Sequence, residues 1–425
     1  MTEDRGAPAS ESIMVVGGGI SGLTTAIEAA EVAYEVFLVE KNPYLGGRVS
    51  QLNQYFPKLC PPSCGLEINF RRIKDNPKIK VFTLAEVESV TGTPGDYDVS
   101  IKLAPRYVNE NCTCCGDCAA VCETEIDSDF DFGMQRVKAA YQPFEMAFPA
   151  RYVLSPQIIG TDDATRCKEA CKYDAIDLEM QTSHLNLKVG ALVWATGWEP
   201  YDASKIDNLG FGQYDNVITN MMLERLAAPN GPTKGTIQRP SDNKDIESIA
   251  FVQCAGSRDE NHLPYCSYIC CMASLKHATY IRERYPDAKI YIFYIDLRAP
   301  GYRYEQFYKR IKEDENVFFI KGKVAEVNED PESKNITVVA ENALTGEKIH
   351  QTVEMAVLAT GMQPTAANAK LPADLNYTED GFVINDFEKG GMFAAGCANK
   401  PADVVSSNQN ATGMALKAIQ TLVNR

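Results

Sequence analysis

The stretch IMVVGGGISG at Ile13–Gly22 decides the fold of this chain. Its apolar start predicts a β-strand that runs directly into glycines, and the spacing of Leu23, Ile27 and Ala30 behind it predicts a helix. Val36–Glu40 then has the pattern of a second strand. A strand, a glycine turn, a helix and a second strand make the βαβ unit that opens a doubly wound α/β fold.

The glycines of this turn, Gly17-x-Gly19-x-x-Gly22, have the spacing of a dinucleotide-binding motif. Glycines let the backbone approach a pyrophosphate, and the N-terminus of the following helix offers N–H groups and a positive dipole. Glu40 lies 18 residues after Gly22, where its carboxylate can accept the hydroxyls of a ribose. Gly46-Gly47-Arg48 is suited either to enclosing the pyrophosphate from its other side or to an ordinary loop. The sequence therefore predicts a bound dinucleotide.

Composition narrows the class of protein. The chain has 425 residues, enough for two or three domains, with 45% hydrophobic and 23% charged residues, which are ordinary globular values. A net charge of −15 argues against a general nucleic-acid or membrane-surface role, because a negative field repels both. Met1–Ser12 lacks the apolar core of a secretory signal, and no uncharged apolar run approaches 18 residues. We expect a soluble cytoplasmic protein that has no membrane partner.

Two later segments repeat the pattern of a strand that ends in a glycine turn. Ala195-Thr196-Gly197 and Ala359-Thr360-Gly361 both end an apolar strand, and Ile249–Asp296 has the pattern of a second βαβ unit. We predict a β-meander over Val317–Val327 and Asn335–Glu341, and a last helix over residues 408–423. The predicted organisation is an FAD-binding domain at 1–104, 181–204 and 351–425, a degenerate ferredoxin-like insertion at 105–180, and a second Rossmann-like domain at 205–350.

The second predicted turn carries cysteines where a nicotinamide-binding domain needs glycines. The strand Ile249–Gln253 runs into CAGS, so that one glycine is left at the phosphate turn. The following cysteines are spaced C-x11-C-x3-C-C, and four thiolates are the usual requirement of a [4Fe–4S] cluster. A zinc site, which usually shows paired cysteine knuckles, and scattered buried thiols are the alternatives. The predicted ligands are Cys254, Cys266, Cys270 and Cys271.

The insertion carries a second set of cysteines. Cys112–Cys122 is spaced C-x2-C-x2-C-x3-C, like a bacterial ferredoxin, with Glu123 in place of the usual proline. Cys167–Cys171 matches only the end of a second such run, because its first two positions fall on Thr161 and Ala164. One cluster and a remnant without metal both fit this pattern. The ligands of the single possible cluster are Cys112, Cys115, Cys118 and Cys171.

The remaining candidates have weaker patterns. Cys60-x3-Cys64 fits a redox dithiol that faces the cofactor, a pair of ligands completed by a neighbouring copy of the chain, or two loop thiols. The four histidines show no metal-ligand spacing, and we expect His277 to lie exposed on a helix.

The order of these motifs resembles the two-dinucleotide-binding-domain flavoproteins, such as thioredoxin reductase, whose first site holds FAD. The resemblance departs at Gly396-Cys397, where that class has Gly-Asp and the aspartate contacts the ribityl chain. It also implies that the last helix directs its N-terminal amides, near Gln409 and Asn410, at the flavin. The implied FAD contacts are Gly17, Gly19, Ser21, Gly22, Glu40, Lys41, Gly47, Arg48, Val87, Ala195, Thr196, Gly197, Gly396, Cys397, Gln409 and Asn410.

A narrower resemblance joins the flavin motifs to the cysteines. CAGSRDENHLPYCSYICC at Cys254–Cys271, FPKLCPPSCG at Phe56–Gly65 and the late AGC resemble the flavin-carrying component of heterodisulfide reductase, its A component. The chain is similar to the short form in the heterodisulfide-reductase-like complexes of sulfur oxidisers, without the terminal cluster domains of the methanogen proteins. The resemblance implies FAD, a [4Fe–4S] cluster, the B and C components of such a complex as partners, and a homodimer.

Three functions are therefore predicted as alternatives. The first is an FAD and [4Fe–4S] electron-transfer component, an oxidoreductase of disulfide or sulfur metabolism. The second is an NAD(P)H-dependent flavoprotein disulfide reductase that uses Cys60 and Cys64. The third is a non-catalytic assembly component that its cofactor stabilises.

Overall fold

The computed structural model describes residues 10–56 and 58–423. The chain begins with the predicted βαβ unit and continues into an antiparallel hairpin. β1 ends at Val16, so the motif glycines form the turn that leads into α1. The first elements, numbered in chain order, are β1 Ser12–Val16, α1 Ile20–Glu31, β2 Glu35–Glu40, α2 Pro62–Asp75, β3 Ile79–Thr83, β4 Ala85–Thr93 and β5 Asp96–Leu103.

Residues 105–180 form a small unit with an apolar cluster of its own, in which Cys118, Cys122 and Cys167 take part. Two short hairpins pair β6 with β7 and β8 with β9, and two helices pack against each other. The elements of this insertion are α3 Asp117–Val121, β6 Glu125–Asp127, β7 Arg136–Lys138, β8 Ala140–Tyr141, β9 Val153–Leu154 and α4 Asp162–Ala170.

The chain then returns to the first domain and crosses to the second. The returning elements are β10 Ser183–Val189, β11 Ala191–Trp194 and β12 Trp198–Pro200. The second domain contains β13 Val217–Thr219, α5 Asn220–Ala227, β14 Ser248–Ala255, α6 Cys270–Arg284, β15 Lys289–Tyr294, α7 Tyr302–Lys312, β16 Val317–Lys321, β17 Val324–Glu329, β18 Ile336–Glu341, β19 Lys348–Val353 and β20 Met355–Thr360. The last elements are β21 Met362–Pro364, α8 Thr365–Asn368, β22 Asn376–Tyr377, β23 Val383–Ile384, β24 Met392–Ala394 and α9 Val404–Val423.

Two parallel sheets organise the molecule. The first has the order β24-β11-β1-β2-β3 and the second β13-β20-β14-β15-β16. Both contain strands that are buried along their whole length, such as Met355–Thr360, as expected for parallel sheets covered by helices on both faces. The antiparallel pair β12 and β21 joins the two domains, because its strands follow β11 and β20 directly.

The insertion leaves the first domain at the tip of an antiparallel pair. Leu103, the last residue of β5, lies opposite Ser183, the first residue of β10. Arg106, at the root of the insertion, is buried and donates to the backbone carbonyl of Pro43 and to the hydroxyl of Thr83. The insertion is therefore fixed to the end of β2 and β3, on the side of the motif glycines.

Three predictions about the fold are wrong: the place of one strand, one domain boundary and the start of the last helix. Val317–Lys321 is not part of a meander; it pairs in parallel with β15, and the chain bends at Gly322 before the meander of β17, β18 and β19 begins. The predicted domain boundary at residue 350 is also wrong, since β20 lies in the centre of the second sheet. The two Ala-Thr-Gly segments thus end one strand in each domain.

The third correction concerns the last helix, which begins at Val404 and not at residue 408. The Asp403 carboxylate accepts the backbone N–H of Ser406 at 2.7 Å, so this side chain caps the helix. Within the described ranges, no helix is both long and apolar enough to cross a bilayer.

Candidate functional site

The turn after β1 is built for close backbone approach. A Cβ atom on Gly22 would lie 1.8 Å from the carbonyl oxygen of Gly17, and one on Gly17 would lie 2.2 Å from that of Ala195. Gly17 also has a φ of +110°, a region that residues with side chains rarely adopt. At Gly19 the nearest neighbour is the Cα of Gly47 at 3.8 Å, so this face of the turn stays open.

Glu40 secures the same turn from the end of β2. Its carboxylate accepts the backbone N–H of Gly18 at 2.6 Å and that of Asn42 at 2.7 Å. Burial raises the pKa of Glu40, and these backbone hydrogen bonds oppose that rise. Glu40 also lines the cleft that opens over this turn.

A cleft of about 750 Å³ opens over this turn, which is within the usual size of a ligand site, roughly 300–1,000 Å³. The hydroxyl of Thr196 is buried at its edge and has no hydrogen-bond partner among the described residues. Together with the open glycine face, this unpaired group fits a bound dinucleotide. The cleft is called the flavin cleft below, after the cofactor that the sequence resemblance implies. The predicted residues that line it are Gly17, Gly19, Ser21, Glu40, Lys41, Gly47, Arg48, Ala195, Thr196, Gly197 and Cys397.

The structure places five predicted contacts outside the walls of the flavin cleft. Gly22 lies behind the turn, and Val87 packs in the core beside β5. The backbone N–H of Gly396 donates to the side chain of Asn410 at 2.7 Å, and Gln409 is exposed. Because α9 begins four residues earlier than predicted, Val404 and Ser407 line the cleft in place of Gln409 and Asn410.

Part of the cleft wall comes from the insertion and was not predicted. Asp129, Phe132 and Gly133 line it, opposite Tyr44 and Arg48. Burial raises the pKa of Tyr44, whose ring contacts Phe130 edge-on at 5.6 Å between centroids. No local sequence signal joins residues 129–133 to the glycine motif, since the contact depends on how the insertion folds back.

The cysteines of the second turn meet at the carboxyl end of the second sheet. Cys254 interrupts the register of β14 at a bulge and has a φ of +57°, a strained value of the kind that clusters at functional sites. Cys270 and Cys271 are the first residues of α6, so they lie at the positive end of a helix of 15 residues. Their Sγ atoms face the carbonyl oxygens of Thr360 and Asp296, at the ends of β20 and β15.

These four thiols also interact electrostatically. Burial raises the pKa of Cys254 to about 11, and the nearby thiols of Cys271 and Cys266 contribute. Burial raises the pKa of Cys270 well above its ordinary value, with all three other thiols adding to the rise. Arg258 opposes the shift at Cys254 and forms an ion pair with Asp296 at 2.9 Å. Thiols in such surroundings stay protonated unless a metal binds them.

The insertion brings together the predicted set of Cys112, Cys115, Cys118 and Cys171, which line one small pocket. Burial raises the pKa of Cys118 to about 12, with Cys112 and Cys115 contributing. The two leftover cysteines, Cys122 and Cys167, are buried against each other; burial raises the pKa of Cys167 to about 12.

All 14 cysteines of the chain lie in the described ranges and are free thiols. In those ranges no three His, Cys, Asp or Glu side chains converge closely enough to hold a metal ion.

Cys60 and Cys64 do not take part in the flavin cleft. Cys60 is half-buried, Cys64 is exposed near the start of α2, and neither lines the cleft. Both lie near the ring of Tyr55. This position weakens the prediction of a dithiol that faces the cofactor.

An apolar layer joins the wall of the flavin cleft to the second turn. Cys397, Ala402 and Met362 form a buried cluster against which Trp198 and Ile269 pack. Cys397 and Ala402 line the flavin cleft, while Ile269 directly precedes Cys270. Through Ile269, the turn that carries the cysteines therefore packs against residues of the cleft wall.

A buried charge cluster beside this layer was missed. His277 is 1% exposed, not exposed as predicted, and its Nε2 contacts the carboxylate of Glu224. Lys276 binds the same carboxylate and donates to the carbonyl of Gln54 at 2.6 Å. Burial alone would raise the pKa of Glu224, but Lys276 and His277 outweigh it and lower the value to about 2. No local sequence pattern predicts this cluster, because Glu224 lies 53 residues before His277.

Comparisons with known proteins identify the fold. A model of an NAD(P)-binding Rossmann-like domain matches residues 15–82. The whole chain is similar in structure to thioredoxin reductase of Lactococcus lactis, with a TM-score of 0.54 at 13% identity over 98% of this chain and 100% of that one. The T. acidophilum enzyme gives a TM-score of 0.53 at 13% identity over 97% of each chain. The fold is that of the two-dinucleotide-binding-domain proteins.

Sequence similarity is more specific. Over nearly its whole length the chain is homologous to the A component of heterodisulfide reductase. It is 39% identical to one of the iron-sulfur A components of the CoB–CoM heterodisulfide reductase of Methanopyrus kandleri, over 97% of this chain and 64% of that protein. The corresponding protein of Methanocaldococcus jannaschii is also 39% identical, over 95% of this chain and 63% of that protein. The chain thus spans slightly less than two thirds of these methanogen relatives.

Proposed function

We propose that this chain is the FAD- and [4Fe–4S]-carrying component of a heterodisulfide-reductase-like complex. It is an oxidoreductase that moves electrons between flavin and cluster in cytoplasmic disulfide or sulfur metabolism, with the B and C components of the complex and a second copy of itself as partners. The observation that carries the proposal is the position of the four cysteines, around a turn whose residue Ile269 packs against Cys397 and Ala402 of the flavin-cleft wall.

The flavin half of the proposal rests on the cleft. The glycine turn and the N-terminus of α1 suit a pyrophosphate, while the buried carboxylate of Glu40 suits a ribose. The N-terminus of α9, capped by Asp403, points its positive end at the cleft through Val404 and Ser407. A positive dipole there favours an anionic reduced ring.

The cluster half rests on the second turn. Cys254, Cys266, Cys270 and Cys271 supply four thiols at a helix N-terminus, where an anionic cluster is stabilised. Arg258 adds a positive charge beside Cys254 and Cys266. A flavin handles electron pairs and a cubane carries single electrons, so the pair links the two kinds of chemistry. The chain's own contribution is to hold both at a fixed separation and to exclude water from the layer between them.

The NAD(P)H-dependent alternative has less support. The turn between β14 and α6 holds bulky residues and cysteines where a pyrophosphate needs a glycine-rich loop. Cys60 and Cys64 lie outside the flavin cleft, so a direct exchange with the cofactor would require loop movement.

Iron and flavin should be measured on anaerobically purified protein. About four irons per FAD support one cluster, and about eight support a second one in the insertion. The double variant Cys270→Ser/Cys271→Ser should lose about four irons and keep its FAD, while the matched variant Cys60→Ser should lose neither. An iron-free protein with full FAD, even after anaerobic reconstitution, would contradict the proposal.

A further inference from the structure

The insertion supplies a cover for the flavin cleft. We call residues Ser128–Gln135 the cap segment. Asp129, Phe132 and Gly133 of this segment line the cleft, although the segment begins 106 residues after Gly22, the last glycine of the turn. A loop of the ferredoxin-like insertion thus lies over a cofactor site built by another domain.

The cap segment is a compact loop in itself. The backbone N–H of Ser128 donates to the carbonyl of Gln135 at 3.0 Å, and that of Gly133 to the carbonyl of Ser128 at 2.9 Å. The hydroxyl of Ser128 donates to Asp131 at 2.8 Å. Phe130 stacks on Phe144 with 4.9 Å between ring centroids. The loop is therefore closed by hydrogen bonds between its own residues.

One residue of the second domain fastens this unit. Arg225 of α5 is 1% exposed, and its Nε donates to the carboxylate of Asp131 at 2.8 Å. The guanidinium also lies 4.6 Å from the centroid of the Phe130 ring. Asp131 is 3% exposed, so both charges are withdrawn from water. Removal of either charge leaves the other buried without an opposite charge and with neutral hydrogen-bond partners only, such as Asn230 for Arg225, which disfavours the closed arrangement.

Gln51 connects the ion pair of Asp131 and Arg225 to the flavin cleft by hydrogen bonds. Its side-chain amide donates to the carbonyl of Phe130 at 2.9 Å, and its oxygen accepts from Arg48 at 3.1 Å. Arg225 donates to the backbone carbonyl of Gln51 at 3.3 Å. Arg48 lines the cleft, so one continuous set of hydrogen bonds joins the cleft, the cap segment and the second domain.

We propose that the cap segment is a lid over the flavin cleft and that the Asp131–Arg225 ion pair is its latch. Opening the latch frees the bound dinucleotide, and a bound dinucleotide holds the lid closed, because such coupling is reciprocal. The inference rests on the proposed function only in taking FAD as the ligand. Asp131 and Arg225 act as positioning residues and need not touch the cofactor.

The test is the rate at which FAD leaves the protein, followed by the rise of free-flavin fluorescence after dilution. Asp131→Asn should release FAD about tenfold faster than wild type, since it leaves the buried Arg225 without an opposite charge. The matched control is Asp127→Asn, which removes a carboxylate from an exposed ion pair with Arg136 in the same insertion. It should release FAD at the wild-type rate. Added FAD should also slow proteolysis of the cap segment in wild type more than in Asp131→Asn.

Several outcomes separate the possible failures. A folded Asp131→Asn variant that releases FAD at the wild-type rate would overturn the latch, as would equal acceleration by Asp127→Asn. If Asp131→Asn does not fold, Arg225→Lys keeps the charge but loses the forked contacts, and it should give a smaller acceleration; a wild-type rate there would overturn the latch too. A wild-type protein that binds no FAD would contradict the proposed function, and a rival cofactor in the cleft would then be released faster by Asp131→Asn if the lid exists.

Discussion

The first and second domains differ in the connection between the first strand of the βαβ unit and the helix that follows it. In each, the first strand of the βαβ unit runs toward the N-terminus of a long helix, β1 into α1 and β14 into α6. In the first domain the connection is three residues, Gly17–Gly19, which let the backbone approach an anion. In the second domain the connection is longer, Gly256–Ile269. Cys254 precedes it, Cys266 lies within it, and Cys270 and Cys271 follow it. A helix N-terminus attracts negative charge in both cases, so side chains rather than topology decide between a phosphate and a cluster.

The comparison predicts that a substitution in one turn removes only the cofactor of that turn. This is the largest expected effect. Gly22→Val places a side chain where a Cβ already meets the Gly17 carbonyl at 1.8 Å, so FAD should be lost entirely while iron is kept. Cys270→Ser/Cys271→Ser should give the reverse. Flavin and iron assays on both variants check this.

Loss of both cofactors from either variant would break the comparison, because it would mean that the turns are not separate sites. Circular dichroism spectra matched to wild type would show that each variant is folded.

The insertion allows a test of whether its own cysteines bind a cluster, separately from the two turns. Cys118→Ala should lower iron by about four per chain if the pocket of Cys112, Cys115, Cys118 and Cys171 holds a cubane. Cys122→Ala is the matched control, since Cys122 is buried beside Cys167 and outside that pocket. Equal iron in wild type and both variants would leave the insertion without a cluster.

How far the sequence predicts this site depends on how local each signal is. The turn Gly17–Gly22 is predictable because spacing within a few residues specifies a strand, a glycine turn and a helix, whereas the ligand set at Cys254–Cys271 stays a prediction. The start of α9 is not predictable, because Val404 and Val405 are poor helix formers and the Asp403 cap outweighs them. The burial of His277 and the place of Phe132 at the flavin cleft depend on partners far away in the chain, which only the folded structure supplies.

The helices after the two turns also differ, and this gives a prediction of intermediate size. α1 buries no charged residue, whereas α6 buries Lys276 and His277 around Glu224. Glu224→Gln removes the charge that both partners face, so we expect unfolding free energy to fall by about 3–5 kcal/mol. Urea unfolding at pH 7.5 measures it; a change below about 1 kcal/mol would mean the cluster is hydrated.

The same cluster predicts a pH dependence. Burial lowers the pKa of His277 below its ordinary 6.5, so the unfolded chain binds that proton first and stability falls as the pH drops below 6.5. Glu224, with a pKa of about 2 in place of 4.5, adds a further loss below pH 4.5. The urea midpoint of wild type should fall between pH 7 and 5.5, and that of His277→Gln should fall less. Parallel curves would contradict the assignment.

The smallest effect tests where α9 begins. If Asp403 caps the helix that points at the flavin cleft, Asp403→Ala should destabilise the protein by about 1 kcal/mol and weaken FAD binding severalfold, because the freed N–H groups lose their alignment. Gln409→Ala changes an exposed residue in the second turn of α9 and should alter neither quantity. Fluorescence titration of FAD into the two apoproteins distinguishes them. A stronger effect from Gln409→Ala would restore the later helix start and would place the amides near Gln409 and Asn410 at the flavin.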